Sequence, residues 1–250
     1  MTRLGLEGRV ALVTGATRGL GLATARKLCA SGCRVYLNYA HSEDDARAAV
    51  DSLAGLPGTA TALRTDVARP EGVQEAIRQV AEEHGALDVF VHNTSALRPM
   101  PATGLDLDAF RAGLEVSLLP LLSAAPALAG AMAEGTGRIV AVSSTGAGRV
   151  VPGYAALGLA KAALESFVRY LAVELAARGI AVNAVSTAKL DKGDDTLRPE
   201  AVQALAARTP AGRLTVPADV ADAIALLCTD EAAWIHGQVL TVDGGLGLRA

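Results

Sequence analysis

The chain has 250 residues, 51% of them hydrophobic and 20% charged, with a formal net charge of −3. That length suits one α/β domain with one large core, and the faintly acidic balance excludes a general nucleic-acid or anionic-membrane binder, either of which carries a basic stripe. A small-molecule partner is expected, and the three cysteines, Cys29, Cys33 and Cys228, odd in number and without metal-ligand spacing, read as reduced packing residues of a cytoplasmic chain with no metal site, targeting segment or membrane span.

Short apolar runs alternate with helical periodicity along the chain. Arg9 to Thr14 is strand-like, Gly19 to Ser31 helical, Arg34 to Tyr39 strand-like and Glu43 to Leu53 helical. Further strands are expected at Thr59 to Arg64, Asp88 to His92, Ile139 to Val142, Ile180 to Val185 and Gln238 to Val242. Helices are expected at Gly72 to His84, Asp106 to Ala133 and Pro217 to Cys228, the second interrupted by Pro120 and Pro126. Repeated strand-helix-strand units with buried strands predict a single Rossmann-type α/β domain, a doubly wound parallel sheet with helices on both faces. Thr187 to Arg213 is irregular, charged and longer than most connections, which suits a substrate loop or lid.

The first strand runs into Thr14-Gly15-Ala16-Thr17-Arg18-Gly19-Leu20-Gly21 and then a helix. Glycines at that junction let backbone N–H groups approach a pyrophosphate at the positive end of the helix. A second cluster follows the strand at Ile139: Ser144, a glycine-bearing loop, and a long helix opened by Pro152 and Gly153 that carries Tyr154 and Lys161. A seven-residue step falls about 20° short of two helical turns, so the phenol and the ammonium share one face, with roughly 10 Å between them along the axis.

The TGxxxGxG spacing resembles that of the short-chain dehydrogenases/reductases. The resemblance extends through Asp66-Val67, His92-Asn93-Thr94-Ser95, Ser144, Lys161, Val182-Asn183-Ala184-Val185 and Val242-Asp243-Gly244-Gly245. It implies a nicotinamide dinucleotide held by Gly15, Thr17, Arg18, Gly19, Leu20 and Gly21, with Asp66 and Val67 by the adenine, Asn93 and Thr187 along the cofactor, and Lys161 on the nicotinamide ribose. A turn residue and a strand-end cap are the structural alternatives for Asp66 and Asn93. The second strand ends Asn38-Tyr39-Ala40-His41-Ser42 without an acidic residue, while Arg18 sits in the phosphate loop. A guanidinium there clamps a 2′-phosphate, with His41 and Ser42 as second donors, so NADPH is favoured.

Departures from the family pattern point to the reaction. The usual tyrosine, four residues before the lysine, is here Leu157; Tyr154 stands almost one turn earlier, giving Tyr-x6-Lys. That spacing, with the stretches GYAALGLAKAALESFVRYLAVELAARGIAVNAVS and TPAGRLTVPADV and with Thr187-Ala188 in place of Pro-Gly, looks like the type III enoyl-acyl-carrier-protein reductases of bacilli. Ser117 and His92 replace asparagines of the usual pattern, which puts the family's proton-relay water in doubt. The resemblance implies reduction of the carbon–carbon double bond of a 2-enoyl thioester, carried on coenzyme A or acyl-carrier protein. Tyr154 is then the donor to the oxyanion, acidified by Lys161, and Ser144 either orients substrate or bonds the turn backbone. Arg98, Arg149, Lys189 and Lys192 are candidates for meeting an acidic carrier. A ketone or 3-oxoacyl reductase, an alcohol dehydrogenase and a nucleotide-binding protein without turnover remain open, and the family habit implies a homotetramer or homodimer.

Overall fold

The structure is a computed structural model and describes residues 4–193 and 199–248. Strands β1 (Val10–Val13), β2 (Arg34–Tyr39), β3 (Thr59–Arg64), β4 (Val89–His92), β5 (Arg138–Val142), β6 (Ala181–Ser186) and β7 (Val239–Thr241) form one parallel sheet in the order β3-β2-β1-β4-β5-β6-β7. The strands are rich in valine, and β1, β4, β5 and β6 are buried along their whole length. The period of two sends Leu12, Phe90, Ile139 and Val182 to one face and Ala11, Val13, Val91 and Val140 to the other, each the centre of its own core. The doubly wound sheet expected from the sequence is thus the one observed. Strand order reverses between β1 and β4, and the crevice at their carboxyl ends is where such sheets take ligands.

The helices are α1 (Gly19–Ala30), α2 (Glu43–Asp51), α3 (Pro70–His84), α4 (Leu107–Ser117), α5 (Leu119–Ala131), α6 (Ala155–Ala176), α7 (Pro199–Arg208) and α8 (Pro217–Leu227). Three sequence expectations need correction. Pro120 sits in the first turn of α5, just beyond a break at Leu118 (φ −127°, ψ −54°), whereas Pro126 is accommodated inside α5. The long helix does not open at Pro152: Gly153 has φ +72°, a left-handed conformation no helix residue holds, so Tyr154 is the N-cap of α6 and Ala155 its first residue. The segment Thr187 to Arg213 is not irregular throughout, since α7 lies within it; none of the residues of α7 is buried, and 194–198 fall outside the described residues.

The stretch Leu107–Ala131 is long and apolar enough by composition to cross a membrane. It is broken at Leu118, and Leu121, Ala124 and Leu128 of α5 pack into the core against α3 and the sheet. Cys29, Cys33 and Cys228 are free and buried, their thiols pushed up to about 11, 12 and 12, chiefly by desolvation, which makes them inert packing groups.

Candidate active site

The glycine-bearing loop after β1 is fixed by a web of hydrogen bonds. Thr14 N donates to Val91 O at 3.0 Å, and Thr14 Oγ1 accepts from Asn93 N at 2.9 Å and Thr94 N at 3.2 Å. Asn93 Nδ2 returns bonds to the carbonyls of Thr14 and Gly15 at 3.0 and 3.1 Å. From the next strand, Asn38 O accepts from Ala16 N at 3.0 Å, and its side chain donates to Thr65 O at 2.9 Å. The loop is therefore clamped between β4 and β2, a preorganised cradle at the amino end of α1. Gly19 lies in it with φ +54° and open space within 4 Å of where a Cβ would stand, so a phosphate can reach the backbone there.

This cradle opens into a cavity of about 1070 Å³. It brings together the expected Gly15, Thr17, Arg18, Gly19, Leu20, Gly21, His41, Ser42, Asp66, Val67 and Asn93. Lys161 and Thr187 are not in its lining. Thr187 is buried behind it, its carbonyl accepting from Thr145 N at 3.0 Å. Asp66 lines the cavity and also accepts from Ala68 N at 3.0 Å as a turn residue, and Asn93 both lines the cavity and ties the loop. Sequence reasoning missed Asn38 and Asp45, and it placed Lys189 and Lys192 at a carrier-docking mouth, whereas all four line this cavity. Asp45 bears on cofactor choice: an acidic side chain does face the cavity, from the first turn of α2 rather than from the end of β2. The four cations expected to meet a carrier are not one patch, because Arg98 lines a small cleft between α4 and α6, and Arg149 a third cavity beside β7.

The second cluster forms where β5 meets α6. Ser144 Oγ accepts from Gly146 N at 3.2 Å, capping the turn, and its hydroxyl also bonds the Tyr154 phenol. One edge of the Tyr154 ring packs against Gly146: a Cβ at 146 would stand 2.4 Å from ring Cδ1 and 2.5 Å from Cε1, so only glycine leaves room for the ring. Met100 N, bonded to Gly153 O at 2.9 Å, holds the backbone in front of it. Burial raises the phenol's pKa and the Ser144 hydrogen bond opposes that rise. With its pKa raised, the phenol is a protonated donor at neutral pH. Lys161 sits on the buried stripe of α6 and donates to Val142 O at 2.6 Å; burial pushes it down to about 8, opposed by the Glu165 charge. Leu157, in the slot the usual tyrosine takes, is packed into the core, 6% exposed. His92, buried on the same side of the sheet, is pushed down to about 3 by desolvation and then by the Lys161 charge, so it is uncharged.

Protonated phenol, buried amine and phosphate cradle, all at the carboxyl end of one parallel sheet, suit hydride transfer with a dinucleotide, and the comparisons agree. A family profile described as enoyl-(acyl carrier protein) reductase matches residues 15–247. The 1-cyclohexenylcarbonyl-CoA reductase of Streptomyces collinus is 39% identical over 97% of this chain and 88% of its own length. The 3-oxoacyl-(acyl-carrier-protein) reductase FabG of Vibrio cholerae is 35% identical over 97% of this chain and 99% of its own length. Among solved structures, a short chain dehydrogenase from Burkholderia cenocepacia in complex with NADP superposes with a TM-score of 0.89 at 35% identity, covering 98% of this chain and all (100%) of that one. The chain is an oxidoreductase that belongs to the short-chain dehydrogenase/reductase family.

Proposed function

We propose that the protein is an NADPH-dependent reductase of the carbon–carbon double bond of a 2-enoyl thioester, of the type III enoyl reductase kind, with coenzyme A or an acyl-carrier protein as carrier. The observation that carries this reading is the pairing of Tyr154 with Lys161 while Leu157 is buried in the usual tyrosine slot. Hydride addition to the β-carbon of an enoyl thioester develops negative charge on the thioester oxygen, two atoms farther from the attacked carbon than a ketone oxygen is. A donor displaced by most of a helical turn suits that displaced oxyanion. A reduced nicotinamide supplies the hydride when bound. Arg18, His41 and Ser42 grip the 2′-phosphate, the cradle around Gly19 takes the pyrophosphate, Lys161 holds the nicotinamide ribose, and Tyr154, backed by Ser144, donates its proton hydrogen bond to the oxyanion.

The similarity to 3-oxoacyl reductases favours a second reading, ketone reduction with Tyr154 in an unusual geometry. Oxidation of NADPH against matched crotonyl and 3-oxobutyryl thioesters, each on coenzyme A and on acyl-carrier protein, separates the two and identifies the carrier. Turnover of the enoyl pair at ten times or more the rate of the oxo pair is expected; the reverse ratio sinks the enoyl reading, and stoichiometric binding without oxidation of NADPH on either pair sinks both.

Lys161 sets a pH limit. Its ammonium, acted on by Glu165 on its own helix and in electrostatic reach of His92 from β4, loses its proton as pH rises through about 8. Cofactor affinity should hold below that value and weaken above it, read as NADPH dissociation constants by fluorescence titration between roughly pH 6 and 9.5. A constant affinity across that window would detach Lys161 from the ribose.

We also propose that the chain assembles as a homodimer or homotetramer across the open edge at β7. Trp234, Leu240 and Leu248 are exposed there at 95%, 42% and 89%, an apolar surface that a second copy covers. Light scattering at micromolar concentration should return the mass of two or four chains; a single-chain mass is the contrary result.

A further inference from the structure

Among the described residues, five buried side-chain polar atoms have no hydrogen-bond partner, and three of them, on His92, Thr94 and Thr187, stand at the carboxyl ends of β4 and β6. His92 is the one whose surroundings are built. In an unbroken helix the Ser117 carbonyl accepts from the N–H of Leu121. The break at Leu118 instead turns Leu121 N to Leu118 O at 3.1 Å, and His92 Nε2 takes the Ser117 carbonyl at 3.1 Å. A carbonyl only accepts, so Nε2 carries the proton and Nδ1 is a bare lone pair, buried and without a partner. The β4–β5 register sets His92 opposite Ala141, and the next residue, Val142, accepts from Lys161 Nζ at 2.6 Å. The imidazole and the ammonium therefore stand at the neighbouring carboxyl ends of β4 and β5, near enough for the Lys161 charge to act on His92.

We propose that His92 is the positioning residue for Lys161: its Nδ1 accepts, through one bridging water, an N–H of the ammonium, so that the three Lys161 N–H bonds go to Val142, to His92 and to the nicotinamide ribose. The proposal rests on the role given to Lys161 above. An uncharged acceptor suits the task, since it favours the ammonium without neutralising it and without competing for the phenol's proton. The helix break and the histidine form one device, in which the carbonyl freed at Ser117 fixes the tautomer and the tautomer leaves Nδ1 as the acceptor.

Nuclear magnetic resonance of the full chain without added cofactor tests this apart from any substrate. With labelled histidine nitrogens, His92 should hold the Nε2–H tautomer, uncharged, from roughly pH 5 to 9. With labelled lysine Cε, the Lys161 midpoint should fall by about half a pH unit or more in His92→Leu, which removes the acceptor, and return towards the wild-type value in His92→Gln, which restores one. Turnover should fall about tenfold in His92→Leu with the thioester KM unchanged, and recover in large part in His92→Gln. An Nδ1–H tautomer, or an unchanged Lys161 midpoint in a folded His92→Leu chain, overturns the proposal. His92→Met is the second apolar replacement if His92→Leu does not fold, and the wild-type tautomer decides if neither does. Absence of enoyl turnover would sink the proposed reaction while leaving these titrations readable, whereas unmoved titrations beside intact turnover would sink the role of His92 alone.

Discussion

Tyr154→Phe should cut turnover of an enoyl thioester a hundredfold to a thousandfold and leave NADPH affinity almost unchanged. Removing one preorganised donor to an oxyanion costs about 2.7 to 4 kcal/mol of barrier. The loss is confined to the hydroxyl, because the ring keeps its seat on Gly146 and its backbone stays bonded to Met100 through Gly153. Affinity is spared because the phenol is assigned to the substrate oxyanion, while the ribose is assigned to Lys161. Ser144→Ala should fall well short of that loss, since it removes only the group that bonds the phenol and caps the turn. Leu157→Tyr, which restores the usual spacing, should not restore the usual chemistry: the side chain at 157 is embedded in the core between α4 and α6, so a phenol there overpacks it at about 1 to 3 kcal/mol. Rates are to be measured where chemistry limits turnover. A Tyr154→Phe enzyme retaining more than about a third of wild-type enoyl reduction would show that this phenol is not the donor.

Arg18→Ala should weaken NADPH tenfold to a hundredfold and barely touch NADH. A well-made charge-assisted contact to a phosphate contributes about 1.5 to 3 kcal/mol, and the 2′-phosphate is the only group by which the two cofactors differ. The exposed Arg18 side chain leaves the N-cap position of α1 without making a capping hydrogen bond, and it lines the cavity beside His41 and Ser42. Asp45 makes the cation more necessary: its carboxylate faces the same cavity and would repel the extra phosphate once the guanidinium is gone. Calorimetric titration of both cofactors into wild type and variant decides the matter, and equal weakening of the two would mean that Arg18 does not read the 2′-phosphate.

Features carried by short-range sequence were legible before any coordinates. The cradle from Thr14 to Gly21 is a contiguous motif, and the sheet followed from strand-helix alternation; helical period carried Lys161, on α6, but not Tyr154, which stands at the N-cap with φ −103° and ψ 7°. What escaped depends on neighbours distant in sequence. Asn38 and Asp45 face the cofactor cavity only because β2 lies beside β1, and Lys189 and Lys192 only because the chain after β6 turns back over it. The break at Leu118 was half legible: Pro120 marked it, but Pro126, equally suspect by residue type, is absorbed without a break. The start of α6 slipped by three residues, from Pro152 to Ala155, because glycine is silent about the sign of φ until its neighbours fix it.

Among the described residues α7 is the one α-helix without a buried residue, which has a consequence for how this chain can diversify. Its side chains contribute little to either core, so its opening draws on local rather than global stability. Substitutions along Pro199–Arg208 are then nearly free of folding cost, while those in the cradle or under Tyr154 are not. Variation along this helix can accumulate without approaching the stability threshold, and the residues of the cradle and of the Tyr154 cluster need not change with it.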